Sequence, residues 1–267
     1  MIKRISSSSN SRLKTARKLT TRNGVLKEGL FLMEGPRFVA DSISRKKPEY
    51  VFISEDSTDT SRTAAEKAAS EGCEVLEISR ALFSGISDTE HSQGIAAVFR
   101  LPPQDLSNLP SQGLLVLLDG VADPGNMGTI VRSAAAFQCG AVVAGRGSCC
   151  PFIPKATRAS AGANILLPVF FDVTLADLME ELKASVRFLG ADTEGTPAEN
   201  LRRTGTPEAL VIGSEAHGIS SEVTALLDRM IAIPISKKVE SLNAAVSASI
   251  LIHSLSGKAD AEDLQNR

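Results

Sequence analysis

Residues 114–132 read LLVLLDGVADPGNMGTIVR and decide the fold of the second half of the chain. The apolar run Leu114–Leu118 predicts a buried strand, and the polar segment Asp119–Gly125 predicts a loop. A helix is predicted to begin at Asn126, because apolar residues then recur at helical spacing. The buried stripe of this helix comprises Met127, Ile130, Val131 and Ala134. A strand, a loop and a helix in this order are typical of an α/β domain.

The same alternation continues downstream. Further strands are predicted at 141–144, 166–170, 186–191, 209–212 and 230–233. Further helices are predicted at 155–163, 175–184, 221–228 and 244–256. Helices that alternate with strands connect parallel strands, so the sheet is predicted to be mostly parallel. A ligand crevice is then expected at the carboxyl ends of the strands.

A proline-rich stretch precedes this domain, LPPQDLSNLPSQG at 101–113, and it predicts a linker at residues 103–112. The chain is thereby divided into a domain at 1–102 and a larger one at 113–267. The first is expected to be a small α/β domain. Its predicted helices lie at 11–22, 36–44 and 62–71, and its predicted strands at 30–33, 50–54, 74–78 and 95–99.

Composition excludes several classes of protein. With 43% hydrophobic and 22% charged residues in 267, the chain is typical of a globular protein. It has no apolar run near the roughly 20 residues of a membrane helix, and residues 1–10 lack the apolar core of a signal peptide, so a cytoplasmic location is expected. The four cysteines, Cys73, Cys139, Cys149 and Cys150, lack CxxC spacing and are expected to be reduced and packed. The three histidines are scattered, so no metal site is expected.

Charge is unevenly distributed along the chain. Residues 1–50 contain twelve Lys and Arg against four Asp and Glu, although the whole chain has a net charge of −2. A basic terminal segment is typical of nucleic-acid binding. Its candidate RNA contacts are Arg12, Lys14, Arg17 and Arg37. A basic helix face that is merely solvated explains the charge alone equally well.

Three glycine-containing loops follow predicted strands. They are Asp119–Arg132 (DGVADPGNMGTIVR), Gly213–Gly218 (GSEAHG) and Ile233–Asn243 (IPISKKVESLN). Each could bind a ligand through its backbone, but a glycine after a strand often only permits a tight turn. A Rossmann-type nucleotide enzyme is a weaker alternative, because the first loop lacks GxGxxG spacing.

Taken together, the three loops resemble the three motifs of the SpoU-type (TrmH-like) RNA ribose methyltransferases of the SPOUT class. The first motif has an asparagine six residues before an arginine, here Asn126 and Arg132. The second is Gly-x-Glu-x-x-Gly, and the third is Ile-Pro followed by Ser-Leu-Asn. Their residues here are Gly213, Glu215, Gly218, Ile233, Pro234, Ser241, Leu242 and Asn243. Segments 28–39 (EGLFLMEGPRFV) and 91–99 (HSQGIAAVF) also look like that family's N-terminal domain.

The resemblance implies a function and a fold. The function is methylation of a ribose 2′-hydroxyl in structured RNA, most naturally 23S-type ribosomal RNA, with S-adenosylmethionine as the cofactor. The fold is a knotted parallel-sheet methyltransferase domain that follows a small ribosomal-protein-like α/β RNA-binding domain, and the protein is expected to be a homodimer. Two alternatives stay open, a transfer-RNA 2′-O-methyltransferase and a non-catalytic RNA-binding or ribosome-assembly protein on the same fold.

The resemblance also assigns roles to residues. It implies that the catalytic residues are Arg132, Asn126, Glu215, Ser241 and Asn243, and that the cofactor contacts are Gly213, Ile233 and Leu242. Because a guanidinium is a reluctant proton acceptor, Arg132 is expected to pair an RNA phosphate and stabilise the alkoxide rather than act as the base. We expect Glu215 to orient Arg132 or a hydroxyl proton.

Simpler roles exist for the same residues. Asn126, Ser241 and Asn243 stand where helix caps are expected, Arg132 fits a helix surface, and Glu215 fits a solvated loop. His217 is interpreted as a variable loop residue. Lys237 departs from the glycine that is common at its position in the family.

Overall fold

The computed structural model describes residues 2–43, 45–89, 91–201, 206–236 and 238–256. The chain forms two compact units, Met1–Pro102 with Phe152–Ile165, and Pro103–Pro151 with Leu166–Arg267. Residues 152–165, predicted to lie in the second domain, therefore belong with the first. Lys237 and residue 44, the predicted end of a helix, lie outside the described residues.

The elements of the chain up to residue 102 alternate between short helices and strands. They are β1 (Ile2–Arg4), α1 (Ser11–Lys18), α2 (Arg22–Glu28), β2 (Leu30–Glu34), α3 (Pro36–Ile43), β3 (Tyr50–Ser54), α4 (Asp59–Ser70), β4 (Val75–Ile78), α5 (Arg80–Ser84) and β5 (Ile95–Arg100). The remaining elements are β6 (Leu115–Asp119), α6 (Pro124–Ala136), β7 (Ala141–Gly145), α7 (Pro154–Ala159), β8 (Val169–Val173), α8 (Leu175–Leu182), β9 (Arg187–Pro197), β10 (Glu208–Gly213), α9 (Ser221–Thr224), β11 (Arg229–Ala232) and α10 (Ala244–Leu255). Short 3-10 helices lie at Leu106–Asn108, Ala163–Ile165 and Ala198–Asn200.

The first unit contains a mixed sheet in the order β1-β4-β3-β5-β2. Strands β1, β4 and β3 are parallel, while β5 is antiparallel to both β3 and β2. The core of this unit is formed by side chains that are fully or almost fully buried, among them Leu13, Phe52, Leu76 and Phe83. Strand β1 and helix α5 were not predicted from the sequence.

The helix predicted at 11–22 is present but shorter, since α1 ends at Lys18 and a second helix, α2, begins at Arg22. Asn10 caps the first by accepting the backbone N–H groups of Arg12 and Leu13. Thr21 caps the second through the N–H of Gly24, at 3.2 Å. Each cap satisfies N–H groups that lack partners at a helix start, so each one marks a new beginning.

The second unit contains a six-stranded sheet in the order β11-β9-β10-β6-β7-β8, and all of its described pairings are parallel. The prediction of a mostly parallel sheet is confirmed. Leu106 and Leu109, in the predicted linker, pack against the core of this unit. Within the described part of the chain, no helix is both long and apolar enough to span a membrane.

Candidate active site

Three loops meet at one edge of the second unit's sheet. Strands β6, β10 and β11 run in the same direction, so the loops that follow them lie at their shared carboxyl edge. These loops hold the three sequence motifs. Asn126 and Glu215, of the first and second motifs, are 89 residues apart in the chain, but their strands are neighbours because β10 pairs directly with β6. Strand β11, which precedes the third motif, is separated from β10 by β9.

Asn126 joins the three motifs. Its side-chain Nδ2 donates to Oε1 of Glu215 at 2.5 Å. Its Oδ1 accepts a hydrogen bond from Nδ2 of Asn243 at 3.0 Å. Because the amide has its donor and its acceptor both engaged, its orientation is fixed. We call Asn126, Glu215 and Asn243 the amide–carboxylate cluster.

The expectation that Asn126 caps its helix was wrong. Helix α6 begins at Pro124, and its cap is Asp123, whose Oδ1 accepts the backbone N–H of Asn126 at 2.8 Å. Proline suits the first position of a helix, because its missing N–H would have no partner there. The side chain of Asn126 is therefore left available for the cluster. Asn243, by contrast, does cap α10 through the N–H groups of Ala245 and Val246.

Among the described residues, Arg132 has no hydrogen bond with the cluster. Six residues along a helix correspond to about 240° of rotation, so Arg132 and Asn126 point in different directions from α6. The side chain of Arg132 is exposed, and within the part of the chain that the structure describes it has neither an ion pair nor a hydrogen bond. Glu215 accepts a hydrogen bond from Asn126 and has none from Arg132 among the described residues, so the other role expected of it, orienting a hydroxyl proton, stays a prediction.

A cavity of about 430 Å³ opens beside the cluster. Its lining includes all three predicted cofactor contacts, Gly213, Ile233 and Leu242. Glu215, Ser241 and Asn243 line it as well, so this cavity and the cluster share side chains. Ser241 is exposed, and among the described residues its hydroxyl has no hydrogen-bond partner.

Close backbone packing explains the glycine at position 213. A Cβ atom there would lie 2.2 Å from the backbone carbon of Gly218 and 2.3 Å from the backbone nitrogen of Ile219. The second motif folds back on itself at this point, where Ser214 and Gly218 exchange backbone hydrogen bonds of 3.0 and 2.9 Å. Any side chain at 213 would push this turn away from the cavity.

Several residues of the site were not found from the sequence. Ser148 Oγ accepts the backbone N–H groups of Gly120 and Val121 and donates to the carbonyl oxygen of Leu118 at 2.9 Å. Asp119 accepts the N–H of Ser220 at 2.7 Å. These residues hold the first and second motif loops in place. The only sequence signal for Asp119 was its position at the end of a strand, and Ser148 had none.

A cysteine outside the three motif loops has a shifted pKa. Burial raises the pKa of Cys139, on the loop after α6, to about 12, so its thiol stays protonated at neutral pH. Among the described residues, no group of three or more histidine, cysteine, aspartate or glutamate side chains is arranged to bind a metal ion.

The four candidate RNA contacts in the first unit differ in their surroundings. Arg12 is paired with Glu74 at 2.6 Å and its guanidinium lies 4.6 Å from the centre of the Tyr50 ring. Arg17 donates to the carbonyl oxygen of Ser8 at 3.2 Å. Lys14 and Arg37 are exposed, and neither has an ion pair with another described residue.

Comparison with known proteins places the chain in a family. Residues 113–253 match the SpoU rRNA Methylase family, and residues 10–97 match the MRM3-like substrate binding domain. The chain belongs to the SpoU rRNA methylase family. The predicted family is thereby confirmed, and so is the predicted class of enzyme, an RNA methyltransferase.

Individual relatives agree with this placement. The chain is 32% identical over 260 residues to the 23S rRNA (guanosine(2553)-2′-O)-methyltransferase RlmP of Bacillus subtilis, covering 96% of this chain and all of that protein. It is 32% identical to a TrmH-family RNA methyltransferase structure from Porphyromonas gingivalis, with a TM-score of 0.79 over 92% of this chain and 97% of that one.

A more distant structure shows the same fold. The SpoU methyltransferase AviRb of Streptomyces viridochromogenes, solved with AdoMet, is 24% identical, with a TM-score of 0.80 over 96% of this chain and all of that one. The predicted fold class is confirmed: a small N-terminal α/β domain is followed along the chain by a SPOUT-type α/β domain.

Proposed function

We propose that this protein transfers a methyl group from S-adenosylmethionine to a ribose 2′-hydroxyl in structured RNA, with 23S-type ribosomal RNA as its substrate. The observation that supports this most directly is the hydrogen-bonded cluster of Asn126, Glu215 and Asn243 beside a cavity. The B. subtilis relative, similar over 96% of this chain and all of its own, is named for this reaction.

The cavity suits S-adenosylmethionine. Its volume of about 430 Å³ lies within the range of roughly 300–1,000 Å³ that is typical of small-molecule sites. Apolar side chains of Ile233, Leu242 and Leu251 supply a slot for the adenine ring, and polar groups line the rest. The close packing of Gly213 against the backbone of Gly218 and Ile219 fixes the turn that forms one wall of the cavity. When bound, the cofactor supplies an electrophilic methyl group.

The residues of the chain would provide positioning and electrostatic stabilisation. A ribose hydroxyl is a weak nucleophile near neutral pH, so it must be held in line and its developing negative charge must be stabilised. In the proposed arrangement Arg132 pairs an RNA phosphate and stabilises that charge, for which an exposed guanidinium that pairs with none of the described residues is suited. Glu215 and Asn126 hold the hydroxyl, and Ser241 and Asn243 complete the cavity wall beside it.

We assign RNA binding to the first unit, and within it to Lys14 and Arg37 ahead of Arg12 and Arg17. A cation that already pairs with a carboxylate has less to gain from a phosphate, and Arg12 is so paired. Lys14 and Arg37 have no such pair among the described residues. The match of residues 10–97 to a substrate binding domain supports this assignment.

We also propose that the protein is a homodimer that associates through α10. The side chains of Val246 and Ile250 are 46% and 40% exposed, and their spacing of four residues puts them on one face of the helix. The opposite face of α10 is buried and includes Ala248, Leu251 and Leu255. Ser249, between the two faces, shares a hydrogen bond of 2.7 Å with Ser133 of α6. A Val246→Glu and Ile250→Glu double variant is expected to be monomeric in analytical ultracentrifugation. We propose as well that the chain follows a knotted path and that the protein is cytoplasmic.

The experiment that tests the function is transfer of tritium from labelled S-adenosylmethionine to ribosomal RNA and, separately, to transfer RNA. Nuclease digestion then locates the label. Label in a 2′-O-methyl nucleotide of 23S RNA is the expected result. Label only in transfer RNA would show that transfer RNA, and not ribosomal RNA, is the substrate. Cofactor binding without transfer to any RNA, including intact ribosomal subunits, would favour the non-catalytic alternative.

A further inference from the structure

Strand β9 contains a bulge beside the cavity. Its pairing with β11 joins Gly190 to Met230 and then Thr196 to Ile231, so residues 191–195 have no counterpart on β11. Bulges of this kind redirect side chains and are frequent next to active sites. A Cβ atom on Gly195 would lie 2.5 Å from the backbone nitrogen of Ile231, so the return to the sheet depends on a glycine there.

The bulge directs two polar residues to the cavity. Asp192 and Thr193 line it, together with the predicted cofactor contacts Gly213, Ile233 and Leu242. The carboxylate of Asp192 is oriented from within the bulge, because its Oδ1 accepts the backbone N–H of Glu194 at 2.9 Å. Among the described residues, its second oxygen has no hydrogen-bond partner.

Asp192 and Glu215 have different surroundings. Glu215 is hydrogen-bonded to Asn126 in the amide–carboxylate cluster, while Asp192 has no hydrogen bond to any member of that cluster. Asp192 therefore stands outside the set of groups that would act on the RNA hydroxyl. A carboxylate only accepts hydrogen bonds, so its partner must be a donor on the bound molecule.

We propose that Asp192 accepts hydrogen bonds from the ribose hydroxyls of the adenosine part of S-adenosylmethionine and so selects a ribonucleoside cofactor. An oriented carboxylate with an open oxygen matches a vicinal diol, and acidic residues bind nucleotide riboses in the same way in other parallel-sheet proteins. The inference rests on the proposal that this cavity holds the cofactor.

Binding measurements test this without catalysis. The dissociation constant of S-adenosylhomocysteine is measured by calorimetry for the wild-type protein, Asp192→Asn and Glu194→Gln. Asp192→Asn is expected to weaken binding by about tenfold to a hundredfold, because the negative charge and one of the two acceptor oxygens are lost. Glu194 is an exposed carboxylate of the same bulge that does not line the cavity, so its variant is expected to bind within about twofold of wild type. Melting temperatures without ligand check that all three proteins fold alike.

Analogues identify the group that Asp192 contacts. The 2′-deoxy and 3′-deoxy forms of S-adenosylhomocysteine are expected to lose affinity for the wild-type protein and to lose little further for Asp192→Asn. Methylthioadenosine keeps the ribose but lacks the amino acid. The affinity for it is expected to fall by the same factor on Asp192→Asn as the affinity for S-adenosylhomocysteine. A loss confined to S-adenosylhomocysteine would place Asp192 against the α-amino group and overturn the inference, as would unchanged binding by Asp192→Asn. If the wild-type protein bound none of these molecules, the assignment of the cavity to the cofactor would itself be wrong.

Discussion

Asn126 and Glu215, 89 residues apart in the chain, are joined by a hydrogen bond from Nδ2 to Oε1. Asn126 also accepts from Asn243, so one side-chain amide connects all three motifs. Aspartate at 126 could not donate to Glu215 and would place two carboxylates side by side.

Substitution at Asn126 is therefore expected to abolish activity with little effect on cofactor binding. Asn126→Asp and Asn126→Ala are each expected to lower kcat by about a hundredfold or more, the usual effect of removing a positioned polar group from an active site. Thr129→Ala, which changes an exposed side chain of the same helix, is the matched control. Methyl-transfer assays and calorimetry measure the two quantities. Near wild-type turnover of Asn126→Ala would show that the cluster is only structural.

Removal of the Arg132 side chain is expected to lower the rate of methyl transfer without lowering the stability of the protein. This side chain is exposed and has no described partner, so Arg132→Ala is expected to melt within a degree or two of wild type and to bind S-adenosylhomocysteine within a few fold. Methyl transfer is expected to fall by about a hundredfold or more. Arg229→Ala is the matched control, because Arg229 is exposed at the amino end of β11, away from the edge that holds the motifs. Equal loss of cofactor binding and transfer in Arg132→Ala would contradict the assigned role.

A methyl group at position 213 is expected to disrupt the cofactor cavity. In Gly213→Ala the new Cβ would overlap the backbone of Gly218 and Ile219, and backbone atoms have no rotamer by which to move aside. We expect cofactor binding to be lost and the melting temperature to fall. Ala216→Ser, an exposed position in the same loop, is the control that is expected to bind normally. Unchanged affinity of Gly213→Ala would mean that the cofactor does not depend on this turn.

Charge reversal is expected to distinguish the basic residues of the first unit. Lys14→Glu and Arg37→Glu are each expected to weaken RNA binding and to reduce the slope of log affinity against log salt concentration by about one, as a lost phosphate contact does. Lys67→Glu, at an exposed position on α4 outside the basic segment, is expected to leave the slope unchanged. Filter binding across a range of salt concentrations measures the slope. An equal change in all three variants would indicate a general effect of net charge.

Tyr50 is expected to limit stability at high pH. Burial raises the pKa of Tyr50 to about 12, and its buried hydroxyl has no hydrogen-bond partner in the described part of the chain. A tyrosine whose pKa is about 10 when unfolded favours the folded state below pH 10, and that contribution is lost as the pH rises towards 12. Tyr50→Phe is expected to raise the free energy of unfolding by about 1 kcal/mol at pH 7 and by more above pH 10. Denaturant unfolding at several pH values measures this, and the ultraviolet absorbance of tyrosinate reports Tyr50 directly, because it is the chain's single tyrosine. A difference that did not grow with pH would contradict the assigned pKa.

The sequence predicted those parts of the fold that depend on local pattern. The apolar run before Asp119 and the stripe from Met127 to Ala134 had one good explanation each, a buried strand and an amphipathic helix, and both are present. Short elements such as β1 and α5 were missed, because a few residues contain too little periodicity to distinguish a strand or helix from a loop. The division at Arg22 was missed because capping by Asn10 and Thr21 depends on backbone geometry.

For the candidate site, the motifs by themselves determined which residues would be important and roughly what chemistry they suit, since residue type fixes what a side chain can donate, accept or stabilise. The tertiary structure alone decided which of them meet. Asn126 binds Glu215 and Asn243, and Arg132 has no hydrogen bond with them in the described part of the chain. Ser148 and Asp119 support loops from distant positions. The physical reason is that parallel strands bring their carboxyl ends to one edge whatever their separation in the chain, while the direction of each side chain depends on helix phase, caps and bulges that are set only when the sheet has formed.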